Sequence, residues 1–120
     1  MKLGRKITGG KYNARRKKKL YERPEQRRVT KLGEEKRKTM KVMGGRMKAV
    51  LLKAKSINLS SDGKIIKAEI KNVLETPSNR FLARQNILTR GTIVETEKGK
   101  ARITNRPTQE GVVNGILLKE

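Results

Sequence analysis

Five cations stand in an unbroken run at Arg15-Arg16-Lys17-Lys18-Lys19, with Arg5, Lys6 and Lys11 shortly before them. Charge packed this densely repels itself unless a counter-charge is supplied. A nucleic-acid backbone is the densest biological source of that counter-charge, so the chemistry open to these residues is phosphate binding. Tyr12 falls inside the same stretch and Tyr21 follows it; each can stack on a base or lie against the sugar backbone. Gly4, Gly9 and Gly10 are spaced among the cations. Because glycine lets one backbone approach another closely, such an arm can thread narrow gaps between RNA helices. The competing reading is a solvated tail, too charged and too poor in apolar residues to order by itself.

Catalytic readings have little to stand on. The chain has no cysteine and no histidine, which removes the thiol nucleophile, the usual general base, disulfides, and thiolate or imidazole zinc sites. Asp62 is the sole aspartate and falls in an expected turn. Glu95 and Glu97, two apart on one strand face, have the spacing of a carboxylate pair, but charge balance against Lys98, Lys100 and Arg102 is the simpler account. Gly9-Gly10-Lys11 lacks the strand and helix context of a phosphate loop. No enzyme activity, cofactor, metal or small-molecule substrate is expected.

The whole composition points the same way. Lys and Arg total 32 against 11 Asp and Glu, a net charge of +21, where a small domain ordinarily stays within about 8 units of zero. No apolar run reaches the roughly 18 residues of a membrane span, and no secretory leader is evident. The polybasic stretch also lacks the apolar face of an interfacial helix. No membrane partner is expected, and the cytoplasm is the default location.

The charge is unevenly spread. Residues 1–28 hold 12 Lys or Arg and 2 acids, a net of +10, whereas residues 49–120 hold 13 and 7, a net of +6. This divides the chain into a basic arm over 1–28 and a core over 29–120. Tyr12, Tyr21 and Phe81 are the only aromatics, so the core must be aliphatic.

From about Val29 the pattern becomes β-like. Gly44-Gly45 separates Thr39–Met43 from Arg46–Leu59, and Ser61-Asp62-Gly63 separates that run from Lys64–Glu75; both breaks are hairpin signals. Met47, Ala49 and Leu51 alternate with Lys48 and Val50, and Ile66, Ala68 and Ile70 with Lys67 and Glu69. Helical spacing competes at Met47, Val50, Leu51 and Ala54, but the turn chemistry favours strands. Pro77 stops the second long strand, and Ser78 is placed to cap a short helical turn through Gln85 that sets Arg80 and Arg84 on one face. Thr92–Thr96 and Lys100–Asn105 flank a hairpin with Gly99 at a left-handed position. Pro107 opens a loop, and Val112–Leu118 reads as a last strand buried on both faces. Six or seven strands at these spacings predict a mostly-β fold, a small antiparallel β-barrel with an extended N-terminal arm.

Three aromatics cannot furnish a base-stacking sheet, and no helix-turn-helix or zinc module is visible. The pattern suits folded RNA, read by shape and phosphate position. A non-specific nucleic-acid chaperone or compacting protein is the alternative.

Ordered motifs extend along most of the chain. They are Gly4 to Lys11, the run Arg15 to Lys19 with Leu20-Tyr21-Glu22, Thr30 to Glu35, Lys41 to Gly45, Leu51 to Ala54, Glu75-Thr76-Pro77-Ser78-Asn79-Arg80, Gly91 to Thr96, and Gly99 to Pro107. With these the chain resembles the archaeal and eukaryotic family of small-subunit ribosomal protein eight, eukaryote type, in the short archaeal form. It departs from the family pattern at Ile7, at Arg23-Pro24, and in the cluster Met40, Met43 and Met47. The resemblance implies a β-barrel, a structural role without catalysis, and a place on small-subunit ribosomal RNA among neighbouring ribosomal proteins. Carried over to matching positions, it makes Arg5, Lys6, Lys17, Lys18 and Lys19 RNA contacts. Lys11, Tyr12, Arg15 and Arg16 join them from the arm, and Lys31, Arg80, Arg84, Arg102 and Arg106 from the core.

Overall fold

The structure, a computed structural model, describes residues 4–13, 15–24, 27–61 and 63–118. Strands dominate them, as the density of Val, Ile and Thr requires. In chain order they are β1 (Thr30–Leu32), β2 (Lys36–Lys41), β3 (Met47–Ala54), β4 (Ser56–Ser61), β5 (Lys64–Glu75), helix α1 (Arg80–Arg84), β6 (Ile87–Leu88), β7 (Ile93–Thr96), β8 (Gly99–Ile103), helix α2 (Pro107–Glu110) and β9 (Asn114–Leu117). The strands β4-β5-β7-β8-β9 close a five-stranded barrel, and β2-β3-β1-β6 form a separate four-stranded sheet. The barrel is thus present, but β4 runs parallel to β9 and β1 parallel to β3, so neither sheet is wholly antiparallel.

The nine strands among the described residues exceed the six or seven expected because one predicted run is two and because the short strands β1 and β6 fall outside every predicted run. Arg46–Leu59 breaks at Lys55, where the chain leaves the open sheet in β3 and enters the barrel in β4. Lys55 stays anchored there, its carbonyl accepting from the Ile70 N–H at 2.8 Å. The simple alternation in β3 fails as well: Met47 and Ala49 are exposed, whereas Val50, Leu51 and Ala54 are buried. Lys36 pairs with Lys53 but Arg37 pairs with Leu51, which leaves Leu52 as an extra residue in β3. Such a bulge resets the phase of the side chains. Leu51 and Ala54, three apart, therefore both enter the core.

The two glycine-marked hairpins form as read. Lys41 pairs with Met47 around Gly44 and Gly45, whose φ angles are 79° and 76°. Ser61 pairs with Lys64 across a two-residue loop, of which Asp62 lies outside the described residues and Gly63 has φ 78°. Thr96 pairs with Gly99 at φ 120°, and the Thr96 hydroxyl donates to the Gly99 carbonyl at 2.7 Å. In β5, Ala68 and Ile70 are buried but Ile66, at the barrel's end, is 37% exposed.

Three local expectations are corrected. Asn79, not Ser78, caps α1: its side-chain oxygen accepts from the Phe81 N–H at 2.9 Å. Pro77 and Ser78 are instead taken up by a turn that the Asn79 N–H closes onto the Thr76 carbonyl at 3.1 Å. Pro107 opens α2 rather than a loop, since its fixed φ suits the first helical position. The last strand is β9 alone and is buried on one face only, with Gly115 inside and Ile116 52% exposed, as a barrel wall requires.

The core is aliphatic, built on Leu51, Ile57, Leu59, Leu88, Val94, Ile103 and their small neighbours. Residues 4–29 contribute no buried residue among those described; Thr30 is the first. The Cα radius of gyration is 21.6 Å, against about 14 Å for a compact domain of this length. With axes of 71, 35 and 24 Å, the molecule carries an N-terminal segment that projects from the folded part. Within it, Arg5 bridges to Lys11, and N–H groups of Lys6 and Gly9 bond the Gly10 and Lys6 carbonyls, each at 2.9 Å.

Candidate nucleic-acid interface

Every cation proposed from the N-terminal segment is exposed: Arg5, Lys6, Lys11, Arg15, Arg16, Lys17, Lys18 and Lys19. Arg16 is partly spent internally. It forms a two-pronged ion pair with Glu22, one prong at 3.0 Å, while the same carboxylate accepts from the Lys19 N–H at 3.0 Å. Arg5 donates to the Gly9 carbonyl at 3.0 Å, which turns it back onto its own hairpin. Tyr12 and Tyr21 are exposed, with the Lys6 ammonium 5.7 Å from the first ring and the Lys19 ammonium 6.0 Å from the second. Each pair puts a cation beside an open aromatic face, the combination that holds a nucleotide by charge and stacking.

The core candidates do not form one group. Arg80 and Arg84 begin and end α1 and are exposed on its surface. Arg102 on β8 and Arg106 before α2 lie elsewhere, linked through Arg90: Arg90 and Arg102 line one cleft, Arg90 and Arg106 a second. A third cleft of about 390 Å³ brings Arg27 and Arg28 to Arg90 and Arg106 over a floor of Leu88 and Pro107, with Thr89, Thr108 and Gln109 completing its walls. Among the described residues no acid lines it. Glu110 stands beside its rim. The Asn105 amide donates to its carboxylate at 3.0 Å and the Arg106 N–H at 3.3 Å; these bonds, with the nearby Arg106 and Arg90 charges, hold its carboxyl below the ordinary range.

Lys31 sits in a different basic feature. It pairs with Lys53 across β1 and β3, and Lys53 pairs with Lys36 across β2. Paired positions share a sheet face, so three exposed lysines form a row at strand spacings of about 4.8 Å. Like charges directly opposite are unfavourable, and the described residues place no acid in ion-pair contact with any of the three. Lys55, by contrast, is neutralised by Glu69 at 3.0 Å, whose hydrogen bond and charge raise the lysine pKa.

Sequence reasoning missed Arg27, Arg28, Arg90, Lys36 and Lys53. The Arg27-Arg28 pair was visible as a dipeptide, but its convergence with Arg90 and Arg106 spans almost eighty positions, and the lysine row exists only once β1, β2 and β3 are paired. Glu95 pairs with Lys100 across β7 and β8, but Glu97 lies in the hairpin loop, so the two carboxylates do not share the expected strand face. Among the described residues no group of His, Cys, Asp and Glu can hold a metal ion, and no helix is long and apolar enough to cross a membrane.

The fold and surface define a small, strongly basic β-barrel protein with an exposed cationic N-terminal segment. The family model for ribosomal protein S8e matches residues 1–118, and the chain belongs to that family. It is similar to the small ribosomal subunit protein eS8 of Nanoarchaeum equitans, 45% identical over 96% of this chain and 92% of that one. The protein of the same description from Staphylothermus marinus is 44% identical over 97% and 93%, and that from Methanosarcina barkeri 40% identical over 96% and 94%.

Proposed function

We propose that the protein is a structural, non-catalytic constituent of the small ribosomal subunit, in the cytoplasm, and that it holds ribosomal RNA by phosphate and shape contacts. Family membership supports the ribosomal role. The observation that carries the RNA reading is the N-terminal segment. None of its described residues is buried, and of the exposed cations Arg5, Lys6, Lys11 and Arg15 to Lys19 only Arg16 is in ion-pair contact with an acid. Charge arranged this way adds nothing to the fold and is stabilised only by an outside polyanion. In this reading residues 1–28 act as the arm and residues 29–120 as the body that positions it. The arm residues Arg5, Lys6, Lys11, Tyr12 and Arg15 to Lys19 neutralise phosphate; Lys31, Arg80, Arg84, Arg102 and Arg106, held on folded elements, set the register. Ribosomal RNA of the small subunit and adjoining ribosomal proteins are the partners. Sedimentation tests this: the protein should migrate with small subunits through moderate salt. Even spreading over all nucleic acid in the gradient would point to a compacting protein instead.

A further inference from the structure

The hairpin of β2 and β3 ends in a feature that phosphate attraction alone does not need. We propose that its tip caps an unstacked base of folded RNA, with the Met43 side chain laid on the base and Lys41 and Arg46 on the flanking phosphates. This deepens the RNA reading and rests on it.

Three observations carry the inference. First, the tip presents apolar surface to solvent: Val42 is 38% exposed, Met43 97% and Met47 66%. The turn does not require it. Gly44 and Gly45 supply the left-handed φ angles, and the Val42 N–H donating to the Arg46 carbonyl at 2.8 Å closes the loop; such turns ordinarily take Gly, Asn, Asp or Ser. Beyond the turn's own residues, nothing lies within 4 Å of where a Cβ would stand at Gly44 or Gly45, so the protein leaves the turn uncovered.

Second, the charge around the tip points to a polyanion. Residues 36–55 hold eight Lys or Arg and no acid. Arg37 pairs with Glu35 and Lys55 with Glu69, but among the described residues no acid forms an ion pair with Lys38, Lys41 or Arg46. All three are exposed. A fully paired helix covers the faces of its bases by stacking, whereas an unpaired base in a loop or bulge leaves a face open. The polarisable thioether of methionine suits an aromatic ring of that kind.

Third, the hairpin projects but is held at its root. Between Thr30 and Val50 no residue is buried, and β2 is an edge of its sheet. At the root the Lys48 ammonium donates to the Gln109 side-chain carbonyl, and the Ala49 carbonyl oxygen lies 3.2 Å from where a Cβ would stand at Gly111. An element fixed at its base and bare at its end loses little ordering entropy when it binds.

The test uses the full chain and two RNAs of similar length, one fully paired and one with a single unpaired purine. The methionine methyl groups carry an isotope label, and Met43→Leu identifies the Met43 signal in the NMR spectrum. The RNA with the unpaired purine should move that signal upfield, through the ring current of a base lying against it, and the paired RNA should not. Met43→Ser should lose roughly tenfold in affinity for the RNA with the unpaired purine, the scale of burying a methionine side chain, and little for the duplex. Met43→Leu should keep most of the affinity, and Lys41→Ala/Arg46→Ala should weaken binding to both RNAs. Melting confirms that the variants fold, as the exposure of the three side chains leads one to expect. A Met43 signal that neither RNA shifts would overturn the capping role while leaving the RNA reading intact. So would equal losses by Met43→Ser on the two RNAs, or no loss on either, which would point to a protein at the tip. Failure of the intact protein to bind either RNA would overturn both.

Discussion

Deleting residues 1–24 separates charge from fold, because the cut leaves Arg27 and Arg28 in place. The deletion removes 10 Lys or Arg and one acid, Glu22, so +9 of the +21 charge goes. None of the described residues in that span is buried. Stability should therefore change by no more than about 0.5 kcal/mol, as for surface changes generally. RNA binding should change strongly. If about half of the 10 cations reach phosphates, the slope of log affinity against log salt should flatten by about 4 to 5 on the duplex-DNA scale. Over the fourfold rise from 50 to 200 mM salt, that difference amounts to about 2 to 3 decades. Fluorescence anisotropy with small-subunit RNA over a salt series reads it directly. Replacing Arg80, Arg84, Arg102 and Arg106 by Ala should act differently, mainly lowering the preference for small-subunit RNA over bulk competitor, because side chains on folded elements set position. Parallel salt slopes for intact and shortened protein, with equal affinity, would refute this division of labour.

Three further outcomes follow from the folded part. In Gly115→Ala the new Cβ would sit 2.9 Å from both the Arg102 carbonyl oxygen and Ile57 Cδ1. Backbone must then move, at a cost of about 1–3 kcal/mol, and an unchanged melting temperature would contradict that packing. Thr76 carries the one buried side-chain polar atom among the described residues without a hydrogen-bond partner. Thr76→Val should raise the urea midpoint by about 1 kcal/mol of stability at constant slope; a lower midpoint would mean that the hydroxyl is satisfied. Glu110 has its folded pKa lowered by Asn105 and the Arg106 N–H. Its stabilising effect is therefore present above the ordinary carboxylate range and lost as pH falls through the lowered value. A carboxyl NMR titration should show that low midpoint, and Asn105→Ala should move it back up; identical curves for the two proteins would count against the clasp.

The parts of the fold legible in the sequence are those set by local chemistry. Gly44-Gly45 and the turn at Gly63 marked their hairpins because the backbone there needs positive φ. The end of β5 before Pro77 was equally local. What escaped was set by pairing across distance. No local signal told that the run through Lys55 serves two sheets, or that Leu52 is a bulge residue, because both facts depend on which strand lies alongside. Asn79 displaced Ser78 as the cap for a related reason: both residues can cap, and the turn at Thr76 decided between them.

The same split explains why the candidate site was half readable. A run such as Arg15 to Lys19 declares itself, since neighbours in sequence stay neighbours in space. Its freedom is also its weakness, because a flexible cationic segment attracts any phosphate. Selectivity needs charges at fixed separations, and those exist only where strands or loops distant in sequence meet. The row Lys31, Lys53 and Lys36 depends on two strand pairings. The cleft around Arg90 depends on β6, α2 and the residues before β1 coming together. Both gather like charge against its own repulsion, and the folded elements that carry them are anchored by the aliphatic core. On the proposed reading, the residues that complete these clusters are therefore the ones that sequence spacing hides.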